Sequence, residues 1–345
     1  MRILIVGPKW FGDSAESMEQ ATRALGHVPA LFYYYYDYLG SLQSGMKRRM
    51  PASLQGGLNL AALSLKRIRD INMNRRLISV ANEFRPDIIV ILKGETIARQ
   101  AIVTLRSRNR RIVSWWLDDP FRYPEAVRRF GLFDMVYMFD RYHIIKLKEQ
   151  GLRQIIYLPC ACNKNTYYPM SIDPTAYPLL KCTIGFVAQY YPKRAMLLEQ
   201  MRGLDVGLWG NGWEVAQELS SMPPGTWRGR KISPSGAAKV YNIAQICPNV
   251  HNPQTRIGGL NTRTFEIPAA GGFQLVDNIP GMEENFDIGR EIVTYSSPSH
   301  FRELADYYLA HPAERATIAE RGRARVLRDH TYEQRLSRIL NTLPH

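Results

Sequence analysis

Short apolar runs alternate with longer amphipathic stretches along most of this chain of 345 residues. The apolar runs of the first half are predicted strands at Arg2–Val6, Val28–Tyr34, Asp87–Leu92, Ile112–Leu117, Met135–Phe139 and Gln154–Leu158. Helical periodicity between them predicts helices that include Ser14–Leu25, Leu63–Glu83 and Arg141–Gln150. Strand, helix and strand repeated in this order favour a parallel sheet with helices on both faces.

A second alternation follows the polar, proline- and tyrosine-rich stretch Asn163–Leu180, which we interpret as a linker. Its predicted strands are Cys182–Ala188, Val206–Trp209, Gln245–Pro248, Phe273–Val276 and Ile292–Tyr295. Its predicted helices are Lys193–Met201, Ser235–Ile243, Arg263–Ala270, Phe301–Ala310, Ala313–Leu327 and Tyr332–Leu343. The length suits two domains, so we predict an α/β protein with two Rossmann-like domains that face a cleft in a GT-B-like arrangement.

We place the N-terminal domain at residues 1–170 and the C-terminal domain at 171–328. The remaining residues, 329–345, form a last helix with Leu336, Ile339, Leu340 and Leu343 at helical spacing. Proteins with a GT-B-like fold commonly return this helix to the N-terminal domain. We expect the same crossing here.

The net charge of +14, from 45 Lys and Arg against 31 Asp and Glu, favours anionic partners. The basic clusters are dispersed along the chain and contain no motif of a nucleic-acid-binding fold. We therefore expect no specific nucleic acid partner, whereas nucleotide diphosphates or peripheral contact with an anionic membrane fit the charge.

Several classes of site are disfavoured by what the sequence lacks. The first strand ends in Gly7-Pro8-Lys9-Trp10-Phe11-Gly12, without the glycine fingerprint of a dehydrogenase. No run approaches the roughly 18 apolar residues of a membrane span, and the start does not resemble a signal peptide, so we expect a cytoplasmic protein. Cysteines and histidines show no metal-ligand spacing, so we expect buried thiols, no metal and no cofactor.

The most informative stretch runs from Leu260 to Asp277 and combines a polar loop, a short helix, a double-glycine stop and a buried strand. Asn261, Thr262 and Arg263 stand where a helix N-terminus favours phosphate. Glu266, one turn later, is placed to accept hydrogen bonds from ribose hydroxyls. Each residue also has a plainer interpretation as a cap or a helix-surface pair.

Together these residues resemble the C-terminal domain of the CgeB family of spore maturation proteins, a group of GT-B-like glycosyltransferases. The resemblance covers most of Gly185–Arg335 and ends with His330-Thr331-Tyr332-Glu333-Gln334-Arg335. The N-terminal half is similar more loosely, at Asp118-Asp119-Pro120 and Leu158-Pro159-Cys160-Ala161. The resemblance implies a metal-independent, hexosyltransferase-like enzyme with an acceptor-binding N-terminal domain and a nucleotide-sugar-binding C-terminal domain. It would move a sugar from a nucleotide-sugar substrate to a hydroxyl of a glycan, protein or small-molecule acceptor.

Related nucleotide-sugar enzymes often carry two glutamates around this helix, with seven residues between them. Glu266 matches the second, ribose-binding one, and Gly258 stands where the first would be. A catalytically inactive nucleotide- or sugar-binding protein of the same fold is therefore the alternative prediction.

Further donor contacts are predicted where the other strands of the second half end. Gly185 lies within the first strand, and Lys193 and Arg194 follow that strand as cations for a diphosphate that gains charge on bond cleavage. A strand followed by a basic helix start explains Lys193 equally well. In the next crevice loop, Trp209 and Asn211 are predicted to contact the base or sugar, because its glycines permit close approach.

In the first half, Asp118 and Asp119 follow a strand, where one carboxylate can act as the base towards an acceptor hydroxyl. The alternative role for either is to cap the next helix. Trp10, Asp13, Lys93 and Glu95 are predicted to bind the acceptor because they also follow strands. The tyrosines from 33 to 36 either line a sugar site or pack on the sheet.

Overall fold

The structure, a computed structural model, describes residues 1–8, 14–34, 52–106 and 110–343, with side chains from residue 65 onward in the second helix. The chain forms two compact units. Unit 1 comprises Met1–Met138, His143–Leu158 and Leu336–His345, and unit 2 comprises Phe139–Tyr142 and Pro159–Arg335.

Unit 1 is built on a parallel sheet of six strands in the order β2-β1-β3-β4-β5-β6. The strands are β1 (Arg2–Pro8), β2 (Val28–Tyr34), β3 (Ile88–Leu92), β4 (Arg111–Trp116), β5 (Met135–Met138) and β6 (Ile155–Tyr157). The helices are α1 (Ser14–Ala24), α2 (Ala52–Phe84), α3 (Arg99–Arg106), α4 (Pro124–Val127) and α5 (Arg141–Glu149). All five residues of β3 are buried, as expected for a central strand covered on both faces.

Unit 2 contains two parallel three-stranded sheets, ordered β9-β8-β7 and β10-β11-β12. The strands are β7 (Ile184–Val187), β8 (Val206–Trp209), β9 (Trp227–Gly229), β10 (Cys247–Asn249), β11 (Gln274–Asp277) and β12 (Val293–Tyr295). A parallel bridge between Ile184 and Ile246 joins the two sheets, so β7 and β10 are neighbours at the centre. This is the strand order of a Rossmann fold, with its switch point between β7 and β10.

Four of the helices in unit 2 begin at a proline. The helices of this unit are α6 (Pro192–Glu199), α7 (Pro234–Ile243), α8 (Arg263–Ala269), α9 (Pro298–Ala310), α10 (Pro312–Asp329) and the start of α11 (Tyr332–Thr342). Ser233 and Ser297 each precede a proline and accept a hydrogen bond from a backbone N–H three residues on. A serine cap before a proline is a strong helix start.

The last helix, α11, begins in unit 2 and ends in unit 1, as predicted for the return to the N-terminal domain. Leu336, Ile339 and Leu343 are buried. The Tyr137 hydroxyl of β5 donates to the Ile339 carbonyl at 3.1 Å and lies 2.8 Å from the Thr342 hydroxyl. The predicted domain boundaries after residues 170 and 328 stay predictions.

The elements differ from the sequence prediction mainly where the pattern is short. Strand β9 was not predicted, because its three half-buried residues show no periodicity and pair only with β8. Helix α2 begins at Ala52, eleven positions before the predicted start at Leu63.

All four cysteines lie in unit 2 as free, buried thiols. Burial raises the pKa of Cys160 to about 12 and that of Cys182 to about 11, and it raises the pKa values of Cys162 and Cys247 as well. Among the helices described, none is both long and apolar enough to cross a membrane.

Candidate functional site

Two cationic side chains meet at the switch point of unit 2, just beyond the carboxyl ends of β7 and β10. The buried Arg194 guanidinium donates from Nη2 and Nε to the Val250 carbonyl at 2.9 and 3.3 Å, and from Nη1 to the Gln189 carbonyl at 2.8 Å. Arg263 donates from Nη1 to the Val187 carbonyl at 2.9 Å and reaches Val250 with Nη2 at 3.5 Å. Two guanidinium groups thus share one carbonyl oxygen.

The positive charge at this point is poorly compensated. Within the part of the chain that the structure describes, no carboxylate forms an ion pair with Arg194 or Arg263. Burial, and secondly the charge of Arg263, lower the pKa of Arg194. The Arg263 Nε is buried and has no hydrogen-bond partner among these residues. Unpaired buried donors of this kind favour an anion.

Beside the two arginines, Lys193 forms an ion pair with Asp277 at the end of β11, with Nζ 2.6 Å from the carboxylate. The second carboxylate oxygen accepts from the backbone N–H of His251 at 2.8 Å and lies 2.7 Å from its Nδ1. Burial alone would raise the pKa of Asp277, but His251 and Lys193 outweigh it and hold that pKa well below its usual range. Asp277 is thus paired with Lys193 and His251 and forms no ion pair with either arginine among the described residues.

Asn261 orders the loop that enters α8. Its Nδ2 donates to Asn249 Oδ1 at 3.0 Å, and its Oδ1 accepts from the Thr264 backbone at 3.2 Å. Asn249 in turn donates to the Thr264 hydroxyl at 3.1 Å. Asn261 therefore joins the loop to the end of β10 and to the first turn of α8. Since α8 has only seven residues, its dipole adds little to the charge of the side chains.

Glu266 lies on α8 in a mostly buried position. Its carboxyl group lies beside the side chains of Thr262 and Tyr167. Burial raises the pKa of Glu266 to about 7, and Arg263 opposes this shift. Tyr167 stands in the stretch predicted as a linker and is stacked on Tyr241, with ring centroids 6.1 Å apart. Glu266 is thus a buried carboxyl group with a pKa raised to near neutral, beside two hydroxyl groups.

The other predicted donor residues of unit 2 have packing explanations. A Cβ at Gly185 would lie 2.7 Å from the Val240 side chain, so this glycine allows α7 to approach β7. Trp209 is 4% exposed, and its ring packs on Gly207 and under the Arg228 guanidinium. This burial leaves Trp209 no open face for a base, which corrects the expectation of stacking. Asn211 contributes its backbone carbonyl, which accepts from Tyr190 at 2.8 Å.

A buried carboxylate, Asp140, fixes the loop between β10 and α8. It accepts from the backbone N–H groups of Arg256 at 2.6 Å and of Ile257 at 3.1 Å. Gly258 has a left-handed backbone with φ of 69° and packs against Gly281. The position of the missing first glutamate is therefore occupied by a tight turn.

In unit 1, the loops after β3 and β4 bring two predicted residues together. Lys93 has a left-handed backbone with φ of 63°, which is uncommon for a side chain with a Cβ. Its Nζ donates to Asp118 at 2.9 Å and to the Tyr123 hydroxyl at 3.0 Å. The side chains of Lys93 and Asp118 are 11% and 20% exposed, so this pair is partly withdrawn from solvent.

Asp119 and Glu95 have different surroundings. Asp119 accepts from the Phe121 backbone at 2.9 Å and caps the short helical turn Pro120–Arg122, which is the capping role left open above. Glu95 accepts from the Tyr34 hydroxyl at 3.1 Å. Burial raises the pKa of Glu95, and Lys93 opposes the shift.

Trp10 and Asp13, and the tyrosines at 35 and 36, lie outside the described residues. Tyr34 packs in the core of unit 1, and its hydroxyl donates to the Leu92 carbonyl at 2.7 Å. No group of three or more His, Cys, Asp and Glu side chains suited to a metal occurs among residues 1–8, 14–34, 65–106 and 110–343. Independence from metals stays a prediction.

Sequence reasoning missed His251 and Tyr167. His251 is the second residue after β10, so its place after a central strand was a usable signal. Tyr167 stands in an irregular stretch and contacts Glu266, far along the chain, so no local pattern marks it.

Comparison with known proteins agrees with these features. The sequence model of a family described as "Glycosyl transferase-like" matches residues 193–341. The spore protein CgeB of Bacillus subtilis (strain 168) is 24% identical over 254 residues, which are 68% of this chain and 76% of that protein. The resemblance to the CgeB family is confirmed.

Solved structures show the same fold over 99% of both chains. A sucrose-phosphate synthase from Thermosynechococcus elongatus matches with a TM-score of 0.68 and 12% identity. The HepE protein of Anabaena in complex with UDP-glucose matches with a TM-score of 0.66 and 13% identity. The predicted α/β fold of the GT-B class, with two Rossmann-like domains, is confirmed.

Proposed function

We propose that this CgeB-like chain is a glycosyltransferase that moves a sugar from a nucleoside-diphosphate sugar to an acceptor hydroxyl. The observation that carries the proposal is the shared use of the Val250 carbonyl by Arg194 and Arg263 at the switch point of unit 2. Such a position, short of negative charge, is where a Rossmann-like domain binds a diphosphate. The glycosyl transferase-like match over residues 193–341 includes it.

The two arginines take different roles in this proposal. Arg263 is half-buried, whereas Arg194 is enclosed, so Arg263 is the arginine that contacts the diphosphate. Arg194 is 3% exposed and already holds two carbonyls, so it acts as a positioning residue for the loops after β7 and β10. Lys193, whose side chain is 54% exposed, adds a third positive charge at the edge.

These charges suit the chemistry of glycosyl transfer. As the bond between the anomeric carbon and the diphosphate breaks, the leaving oxygen gains negative charge, and fixed cations stabilise it. In the same step the acceptor hydroxyl loses a proton. Asp118 is the better placed of the two predicted bases, because Asp119 is engaged as a helix cap.

Binding of UDP, GDP or dTDP, with NAD as the comparison, tests the donor assignment. The nucleoside diphosphates should raise the thermal midpoint, because a ligand that binds only the folded state stabilises it. NAD should not. Stabilisation by NAD alone would contradict the proposal. Release of UDP from UDP-glucose, followed with and without added acceptors, then tests turnover.

An inactive nucleotide- or sugar-binding protein is the second candidate, favoured by one observation. Gly258 forms a turn where related enzymes carry an acidic residue. Stabilisation by nucleotides without any release of UDP from UDP-glucose would support this second function. Independence from metals and a cytoplasmic location accompany the proposal as predictions.

A further inference from the structure

A cavity of about 790 Å³ lies within unit 1, between α2, α3 and the loop that follows β3. Cavities of a few hundred to a thousand Å³ commonly bind small ligands. The lining is mixed, with apolar, amide and hydroxyl side chains beside charged ones. The charged residues that line it are Lys66, Arg67, Asp70, Arg75, Glu95 and Arg129.

The floor of this cavity is held in place by hydrogen bonds within unit 1. Asn74 of α2 is 7% exposed and donates to the carbonyls of Asp70 at 2.7 Å and Thr96 at 3.3 Å. Its Oδ1 accepts from the Ala98 backbone at 2.8 Å. The loop after β3 is therefore tied to α2.

Positive charge exceeds negative charge around the cavity. Asp70 is paired with Arg69 at 3.2 Å, and burial disfavours the charged form of Glu95. Arg67 and Arg75 are exposed, and neither forms an ion pair with a residue that the structure describes. An anionic ligand would supply the missing partners.

The cavity also adjoins the candidate base. Tyr123 lines it, and the Tyr123 hydroxyl accepts from the same Lys93 ammonium that donates to Asp118. A ligand that lies against Tyr123 is thus one side chain away from Asp118. Thr96 also lines the cavity, beside Glu95.

We infer that this cavity binds the acceptor, and that the acceptor is a small carbohydrate carrying a phosphate or carboxylate group. The inference rests on the proposed function, because it assigns the acceptor class of that reaction. The acceptor hydroxyl oxygen forms the new bond to the anomeric carbon, and its proton passes to Asp118 along the hydrogen bonds that link the Tyr123 hydroxyl, the Lys93 ammonium and Asp118. The bond from that carbon to the diphosphate breaks, and its electron pair leaves with the diphosphate.

Calorimetric titration of the full chain with glucose 6-phosphate, glucuronate and glucose tests this assignment. We expect at least one of the charged sugars to bind at least tenfold more tightly than glucose. The double substitution Arg67→Ala and Arg75→Ala should weaken that binding at least tenfold, because two charge-assisted contacts are lost. Arg76→Ala is the matched control, since Arg76 is exposed on the same helix and does not line the cavity.

Titration of UDP in the same samples separates this inference from the proposed function. UDP binding with no preference for a charged sugar over glucose would overturn the acceptor class and leave the glycosyltransferase proposal standing. An equal loss of sugar binding in the Arg76→Ala control would also overturn it, because the effect would then be one of net charge. Absence of binding by every nucleoside diphosphate would count against the proposed function itself.

Discussion

At the scale of single residues, the site of unit 2 depends on which arginine is free to reach a ligand. Arg194 is enclosed and holds the carbonyls of Gln189 and Val250. Arg263 keeps one buried N–H without a partner among the described residues. The sequence predicted that both residues lie near a diphosphate. It could not show which of them contacts the ligand and which one holds the loops in place, because that depends on how deeply distant strands bury each side chain.

Arg263→Ala should weaken UDP binding by about ten- to a hundredfold, since a charge-assisted hydrogen bond contributes about 1.5–3 kcal/mol. Arg256→Ala is the control, because Arg256 is exposed in the neighbouring loop and lies 6.0 Å from the Tyr142 ring. Calorimetric titration of both variants with UDP measures the difference. Small and equal effects would show that Arg263 does not contact the nucleotide.

Glu266 should make folding stability depend on pH. Its folded pKa of about 7 lies above the ordinary value of 4.5, so the folded state binds the proton more tightly. The resulting stabilisation is complete below about pH 4.5 and is lost as the pH rises through about 7. Its upper limit is roughly 3 kcal/mol.

Glu266→Gln should remove this component, which urea unfolding of both proteins at pH 5 and pH 7.5 would show. Glu303→Gln, at an exposed position of α9, is the control. If the wild type and Glu266→Gln lost the same stability between the two pH values, the carboxyl would not be protonated in the folded state.

At the scale of elements, the sequence predicted the strands that carry the site because they are buried apolar runs. The strands β3, β7 and β11 were found at nearly the predicted positions. The cavity of unit 1 was not predictable, because α2, α3 and the loop after β3 meet only through tertiary packing. Local patterns specify which segments form strands, and contacts between distant segments decide which polar residues share a site.

Gly185→Ala should destabilise unit 2 by about 1–3 kcal/mol, because inserting atoms into a packed core forces its neighbours to move. The new Cβ would lie 2.7 Å from the Val240 side chain and 2.8 Å from the Ala244 Cβ. Gly131→Ala is the control, since its Cβ would meet nothing within 4 Å. Calorimetric melting of both variants provides the comparison, and equal melting would show that α7 can shift away from β7.

At the scale of the whole molecule, the last helix completes the core of unit 1. Ile339→Ala should therefore destabilise the protein by about 2–5 kcal/mol, since it leaves a cavity at a fully buried position beside Tyr137. Arg338→Ala, at the exposed position before it, should change stability by about 0.5 kcal/mol or less. Chemical unfolding of both variants measures this, and an Ile339→Ala protein as stable as wild type would show that α11 contributes little.

The two-unit architecture was predictable because each half repeats the pattern of strand and helix. The return of α11 was expected from resemblance, and its apolar spacing supported it. Its partner on β5 was not predictable, because Tyr137 and Ile339 are 202 positions apart. Such a separation leaves no trace in a local pattern.

Every cysteine lies in unit 2, so the rate at which the thiols are chemically modified reports the opening of that unit alone. A thiol with a raised pKa and no access to solvent does not react with iodoacetamide until the structure around it opens. The mass added to the intact chain then gives the number of cysteines that have become accessible. Opening of unit 1 adds no mass, because unit 1 contains no cysteine. A nucleotide bound at the switch point should slow the modification of Cys247, which belongs to β10, and a sugar bound only in unit 1 should leave its rate unchanged.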